Sequence, residues 1–531
     1  MKQETRSVSL LALPLRVSDI LECADKVSLD RQALVEVDGG WTYRQLESAV
    51  GAARALLLDL EVRSGDRVMI VCENCREFVA LFLALASLDA WTVPVNARLS
   101  AREIDEIKEH SGARRVIYTT RASSHGMAHA KRNDAVIREI PDLGTIGISA
   151  LNKETHQEYM DPNSSDRVAI ILYTSGTTGR PKGVMLSHKN LLFAASVSAR
   201  IRSLTPEDRL LGVMPMSHVS GLSLVLIAAL LTGASVYLLP RFDAIAMRAA
   251  LERHQLSVVL GVPAMFTQFV DYASLRGIDS FHFPSLRIIS SSGAPLYQSV
   301  KSDVEKLFGL KLSNGYGMTE CSPGICTTRI EAPRKDTSVG PVYPGVEVKF
   351  LDSSRKTVCE GEVGELWVRG PNVMKGYYRA PSETYMAIDE EGWFNTHDLA
   401  RMENGNVFIV GRTKELIIRS GFKVYPAEIE GVLEACPGVI RSAVIGQCIE
   451  TSGEEEIVAF VELPKGTTVT KAELAKHATQ HLAFYKRPSQ IRILSEMPLT
   501  LSGKVRKDKL EEWSRRSRNF GINRVEELEK S

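Results

Sequence analysis

Between Tyr173 and Leu186 the chain reads YTSGTTGRPKGVML, which places the hydroxyls of Thr174, Ser175, Thr177 and Thr178, the glycines Gly176 and Gly179, and the ammonium of Lys182 within one short run. Glycine lets backbone N–H groups turn toward a common point, and hydroxyls and a lysine beside them make an anion cradle. A nucleoside-triphosphatase loop of the Walker type needs glycine, four residues, then Gly-Lys-Ser/Thr. Counted from Gly176, Pro181 stands in place of the second glycine and Gly183 in place of the hydroxyl. Proline has no N–H to donate, and the hydroxyl that would hold magnesium is missing. The run reads as a phosphate-binding loop of a different chemistry.

Five further segments carry residues of the same kind: SSGAPL (Ser291 to Leu296), NGYGMTE (Asn314 to Glu320), GWFNTHDLA (Gly392 to Ala400), GRTKELIIRSGFKVYPAEIE (Gly411 to Glu430) and PLTLSGKVRKDKL (Pro498 to Leu510). The first two follow strand-like runs, and their glycines can bring backbone against a flat ligand. GYGMTE lacks the third glycine of a dinucleotide fingerprint, and His397 beside Asp398 is far short of a metal site. Taken in order, the six segments resemble the core motifs of the adenylate-forming superfamily, which includes acyl- and aryl-CoA synthetases, 4-coumarate–CoA ligases, firefly luciferase and peptide-synthetase adenylation domains. The resemblance runs from about Trp41 to Leu510.

The resemblance implies an ATP-dependent acyl-CoA or aryl-CoA ligase, with ATP, Mg2+ and coenzyme A as its cofactors. A carboxylate is a poor acyl donor, and attack on the α-phosphorus of ATP replaces an oxide leaving group with AMP. Charge gathers on phosphate oxygens in that transition state, where a bridging cation stabilises it. Lys504 matches the lysine of that role. Thr174, Ser175, Gly176, Thr177, Thr178, Gly179 and Lys182 match the loop that holds the β- and γ-phosphates. Gly293, Ala294 and Pro295 border the adenine, Tyr316 stacks on it, and Asn314 and Gly315 belong to the same ATP wall. Thr319 falls on the α-phosphate threonine, Glu320 on the carboxylate associated with magnesium, with Thr174 as a second metal contact. Asp398 and Arg412 fix the ribose, and Ile409 and Lys423 complete the nucleotide set. His218, in PMSHVSGL, stands at the gate to the acid pocket, whose walls are Ser292, Gly317, Ser322, Pro323 and Ile325. The implied catalytic group is Lys504, Thr319, Glu320 and His218. Lys414 matches a hinge about which the lid turns to withdraw Lys504 and admit CoA. Aromatic CoA ligases carry glutamine at Lys423 and lysine at Ile418, so the lid departs from them there.

These residues must be positioned by an α/β fold. Runs such as RVMIVC, RVAIILYT, LSVVLGV and LRIISSSG alternate with helical stretches such as YRQLESAVGAARALLLDL, which argues for α/β layers with largely parallel sheets. Several strands end in Gly, Ser and Thr, where open α/β sheets bind ligands. After residue 340 the texture suggests a small antiparallel module, and after Gly411 a compact α+β unit. The fold class implied is a multilayer α/β N-terminal domain with a β-barrel subdomain, residues 1–411, a hinge at 412–416 and a small mobile α+β lid at 417–531. The uncharged stretch at 221–240 is long enough to tempt a membrane reading, but Thr232-Gly233 interrupts it, so a core helix followed by a core strand is expected.

With 531 residues, two or more domains are expected, and 65 basic against 64 acidic residues leave no signature for nucleic acid or an anionic membrane. Of the eight cysteines only Cys72 and Cys75 form a CxxC, and one such pair is read as coincidence in a reduced, cytoplasmic protein. The N-terminus carries no convincing signal peptide. The expected partners are a small-molecule carboxylic acid, ATP and CoA, and a homodimer is allowed. No acid occurs between Asp208 and Asp243 to hold an α-amine, so an amino acid is not the expected substrate, while medium-chain, branched and aryl acids stay open. Few residues follow Lys504, which favours free CoA over a carrier domain. A luciferase-like oxygenase, or an acyl-AMP ligase with another acceptor, would share the adenylation residues. Release of ADP would mark a kinase or ATPase instead.

Overall fold

Thr42 and Gln45 open the first long helix with reciprocal bonds: the Thr42 hydroxyl accepts from Gln45 N at 3.2 Å and Gln45 Oε1 accepts from Thr42 N at 2.9 Å. The helix Tyr43–Asp59 then buries Leu46, Ala49, Ala53, Leu56 and Leu57, an apolar stripe at helical spacing. Its neighbour Arg76–Ser87 is buried from Glu77 to Ala86 on every side, as a helix between two layers must be. The computed structural model describes residues 13–23, 29–174, 181–419, 422–448, 455–464, 466–467, 469–500 and 503–520.

Two eight-stranded sheets form the large N-terminal domain. The first runs Gly324–Thr327, Leu312–Gly317, Ile288–Ser292, Val258–Gly261, Arg209–Gly212, Ser235–Leu238, Gln32–Glu36, Gly39–Thr42; it is parallel except for its two edge strands. The second runs Gly376–Tyr377, Lys182–Ser187, Val168–Thr174, Trp91–Asn96, Arg67–Cys72, Arg115–Thr119, Gly144–Ile148, Val136–Ile140, with a parallel centre and antiparallel flanks. RVMIVC is buried at all six positions, the continuous apolar run of a strand covered on both faces.

The apolar 221–240 stretch folds as expected, with a local surprise. Ser220–Ile227 is π-helical, Ala228–Thr232 continues it as α-helix, Gly233 closes it in the left-handed region, and Ser235–Leu238 enters the first sheet. No described helix is long and apolar enough to cross a membrane.

The expected β-barrel is an open sheet. Glu347–Leu351, Gly364–Arg369, Phe394–Glu403 and Asn406–Arg412 form an antiparallel ladder whose outer strands do not pair with each other among the described residues. Four strands of five to ten residues with ordinary twist cannot close on themselves, and packing on the main core covers the sheet instead: Leu366, Val368, Phe394, Ala400 and Val407 join the largest apolar cluster.

The small C-terminal domain has its own core of Ile417, Val424, Ile429, Leu433, Val444, Ile457 and Leu474. A hairpin, Ile417–Arg419 with Phe422–Val424, precedes a three-stranded sheet of Arg441–Cys448, Glu455–Glu462 and Gln490–Leu494. It docks on the large domain where the Tyr297 hydroxyl meets Glu430 Oε2 at 3.2 Å and where Gly503 lies so near Ala264 that a Cβ would stand 3.2 Å from its methyl.

Candidate active site

Strand ends from both sheets carry the candidate residues. Val168–Thr174 delivers Thr174, and the returning strand Lys182–Ser187 sets Lys182 directly opposite it. The loop residues Ser175, Gly176, Thr177, Thr178 and Gly179 lie outside the described residues. The Lys182 ammonium pairs with Glu383, in the helix Pro381–Ala387, and sits 5.1 Å above the Tyr377 ring. The Tyr377 hydroxyl in turn donates to Glu320 Oε1 at 3.1 Å. One phenol therefore links the loop lysine to the carboxylate expected beside a metal.

Leu312–Gly317 supplies the next wall. Asn314 does not offer its amide to the cleft: Nδ2 donates to the Thr337 carbonyl at 2.9 Å and holds the chain at 337–338. Tyr316 does reach the site, donating to Asp398 Oδ2, while Arg412 Nε donates to Oδ1 at 3.0 Å. Asp398 and Arg412 are partners across the antiparallel ladder of Phe394–Glu403 and Asn406–Arg412, so strand register sets their meeting. Ile409, in the same strand, is half-buried against the core. Gly317 admits no side chain, because a Cβ would lie 1.8 Å from the Pro323 carbonyl oxygen. Thr319 opens the short turn Thr319–Cys321 that carries Glu320. Of the expected acid-pocket residues, Ser322, Pro323 and Ile325 are buried, with the Ser322 hydroxyl donating to the Asn372 carbonyl at 2.8 Å. Ser292 is half-buried at a strand end, and Gly293 follows with φ of +85°, before a half-buried Ala294 and an exposed Pro295.

His218 stands where the first sheet meets the π-helix, and its position is set from the other sheet. Asn74, 2% exposed, donates from Nδ2 to the carbonyls of Gly212 (3.1 Å), Met214 (3.0 Å) and Leu239 (3.1 Å), and accepts from Met216 N at 2.7 Å. Gly221 fits beneath because any Cβ would strike the Pro215 carbonyl oxygen at 2.4 Å.

Lys504 completes the cleft from the C-terminal domain. Its side chain is open to cleft solvent, yet the surrounding protein, then Arg412, lowers its pKa, against the pull of Asp398 and Glu320. Burial, then the Lys504 charge, lowers the His218 pKa and favours the neutral ring. Burial raises the carboxyls of Glu320 and Asp398; Arg412 is the chief opposing charge at Asp398, and Tyr377, Arg412 and Lys504 all oppose it at Glu320. Each of these groups senses the Lys504 charge, so the structure brings Glu320, Asp398, Arg412, His218 and Lys504 together. Lys423 is instead exposed on the hairpin of the C-terminal domain, paired across it with Ile418. No group of three His, Cys, Asp or Glu side chains that could hold a metal exists among the described residues. A lone carboxylate such as Glu320 suits magnesium, which takes one or two carboxylates and completes its shell with phosphate and water.

Asn74, Tyr377 and Glu383 were not legible as site residues. Asn74 hides inside the Cys72–Cys75 pair, whose free thiols are buried, and its partners lie 138 to 165 residues away. The only local sign at Glu383 is Pro381 opening a helix.

The family described as AMP-binding enzyme matches residues 21–378, and the one described as AMP-binding enzyme C-terminal domain matches residues 428–504. The chain is 31% identical to 4-coumarate-CoA ligase 1 of Narcissus pseudonarcissus, over 91% of this chain and 90% of that one. It is 33% identical to feruloyl-CoA synthase of Amycolatopsis sp, over 88% and 92%. Among solved structures, ATP-bound MatB from Rhodopseudomonas palustris superimposes with a TM-score of 0.81 at 30% identity, covering 94% of this chain and 99% of that one. The apo form of the same protein reaches 0.72.

Proposed function

Because the chain belongs to the AMP-binding enzyme family, we propose a reading of its cleft in which each residue serves one of two half-reactions. The protein is an AMP-forming acid–thiol ligase: it activates a carboxylic acid as acyl-AMP with release of pyrophosphate, then transfers the acyl group to the CoA thiol.

In the first step Tyr316 lies under the adenine, and Asp398, held between Tyr316 and Arg412, accepts from the ribose hydroxyls. Thr174, Lys182 and the loop between them hold the β- and γ-phosphates, and Thr319 the α-phosphate. Magnesium at Glu320 would neutralise phosphate charge. Lys504 bridges the incoming carboxylate and the α-phosphate, where charge meets charge in the transition state. The neutral His218 ring borders the acid. The observation that carries this reading is the convergence of Glu320, Asp398 and Arg412 from the large domain with Lys504 from the small one. The better superposition on ATP-bound than on apo MatB supports a lid set for adenylation.

In the second step the lid turns about residues 412–416, with Lys414 as pivot, between an N-terminal domain of 1–411 and a lid of 417–531. Lys504 leaves and CoA enters. The absence of any acid between Asp208 and Asp243 speaks for a substrate without an amine, and the relatives named for 4-coumarate and feruloyl-CoA make aryl acids the first to test. The buried free thiols of Cys72, Cys75, Cys321 and Cys326 support action in the cytoplasm. A pyrophosphate-release screen over aryl, medium-chain and branched acids, with and without CoA, tests the reading. Acid-dependent pyrophosphate and AMP, with thioester only when CoA is present, is the expected result; ADP, or no acid dependence, overturns it.

A further inference from the structure

Lys182 has two anions to serve. Its ammonium lies against Glu383 Oε2, a buried oxygen with no other polar partner among the described residues, and above the face of Tyr377. The Glu383 side chain is partly exposed, so its pairing with this single cation is of surface-pair size and is given up when the ammonium moves away. One ammonium directed at the phosphates cannot keep this contact intact. The two anions therefore compete for it, and each weakens the hold of the other.

The competition has a direction. ATP is anchored at several points in the proposed reading, through Tyr316, Asp398 and Arg412 as well as through Lys182. Pyrophosphate, once cut from AMP, keeps only its phosphate contacts. An anion waiting beside Lys182 thus bears most on the departing product. Glu383 is well placed for this. It sits in the first turn of Pro381–Ala387, and Tyr377, which both faces Lys182 and donates to Glu320, is tied to the same helix by its N–H donating to the Thr384 hydroxyl at 2.8 Å.

We propose that Glu383 is a positioning residue that draws Lys182 back from pyrophosphate and so sets the release of that product. The inference rests on the assignment of Lys182 to the phosphates, and it names a control on that site which the assignment alone does not contain.

The test is binding of inorganic pyrophosphate to the full-length chain by calorimetry, paired with pyrophosphate inhibition of acid-dependent turnover. Glu383→Gln should tighten pyrophosphate by about three- to fivefold, the size expected for a partly exposed ion pair, and lower the KM for ATP in the same direction. Glu383→Asp should fall between Gln and the native residue, which keeps the comparison open if the Gln variant folds poorly. In a Lys182→Ala background, Glu383→Gln should change nothing. A folded Glu383→Gln protein with unchanged or weaker pyrophosphate binding overturns the proposal, as does an equal effect with and without Lys182. A native chain that releases no pyrophosphate with any acid is a different failure: it overturns the ligase reading beneath, and this inference with it.

Discussion

The Tyr316 hydroxyl lies 2.5 Å from Asp398 Oδ2, while Arg412 Nε takes the other oxygen at 3.0 Å. The carboxylate is thereby held by two donors from different elements. The aromatic that would carry the base and the acid that would carry the sugar are thus one hydrogen-bonded unit.

Tyr316→Phe keeps the ring and removes that bond. A hydrogen bond to a charged group contributes about 1.5 to 3 kcal/mol. The KM for ATP should rise about tenfold or more, with the KM for the acid little changed. Steady-state titration of each substrate checks this, and an unmoved ATP dependence would detach Tyr316 from ribose positioning.

Lys504→Ala should abolish adenylation, at about 3 to 4 kcal/mol, while CoA attack on supplied acyl-AMP persists. Equal loss in both half-reactions would contradict the two-orientation reading. The native enzyme should show a matching pH profile. Since the surrounding protein and Arg412 depress the Lys504 pKa, the required ammonium is present at low pH and is lost as pH rises, earlier than for an ordinary lysine. Adenylation should decline on that limb, and the thioester step from supplied acyl-AMP should not share it.

Asn74→Ala removes the clamp on Met214 and Met216 that places His218. Stranding buried polar groups costs about 1 to 3 kcal/mol each, so the melting temperature should fall. The discriminating readout is the KM for the acid, which should rise at least about fivefold at a temperature where the variant is folded, with the ATP KM held within about twofold. Parallel changes in both constants would reduce Asn74 to a general staple between the sheets.

Lys414→Pro should trap the lid. Lys414 sits in the 3-10 turn Thr413–Glu415, whose φ range proline shares. Pyrophosphate exchange should survive and thioester formation fail, with acyl-AMP retained on the enzyme. Rapid-quench detection of bound acyl-AMP checks this; full thioester turnover would move the pivot elsewhere.

What the residues announced, and what they concealed, follows from the range of the forces involved. RVMIVC was readable because a strand buried on both faces needs an unbroken apolar run. The Asp398 and Arg412 pair was readable only through resemblance, since nothing local says that two strands will bring them into register. The closed barrel was not realised because closure depends on edge pairing, which no single strand encodes. Glu383 and Lys182 are 201 residues apart, 383 minus 182, and meet only because Gly376–Tyr377 joins the edge of the second sheet beside Lys182–Ser187.

The strand Asn406–Arg412 ends at Arg412, proposed to hold the ribose through Asp398, and the turn Thr413–Glu415 begins at the next residue. Everything proposed to recognise the acid therefore lies upstream of that turn, and the downstream chain contributes to chemistry chiefly through Lys504. Choice of acid and timing of the two steps are consequently separable legacies. A chimera joined within Thr413–Glu415, carrying the C-terminal segment of a relative, should inherit its acid preference wholly from the upstream parent and its partition between free adenylate and thioester from the donor of the lid.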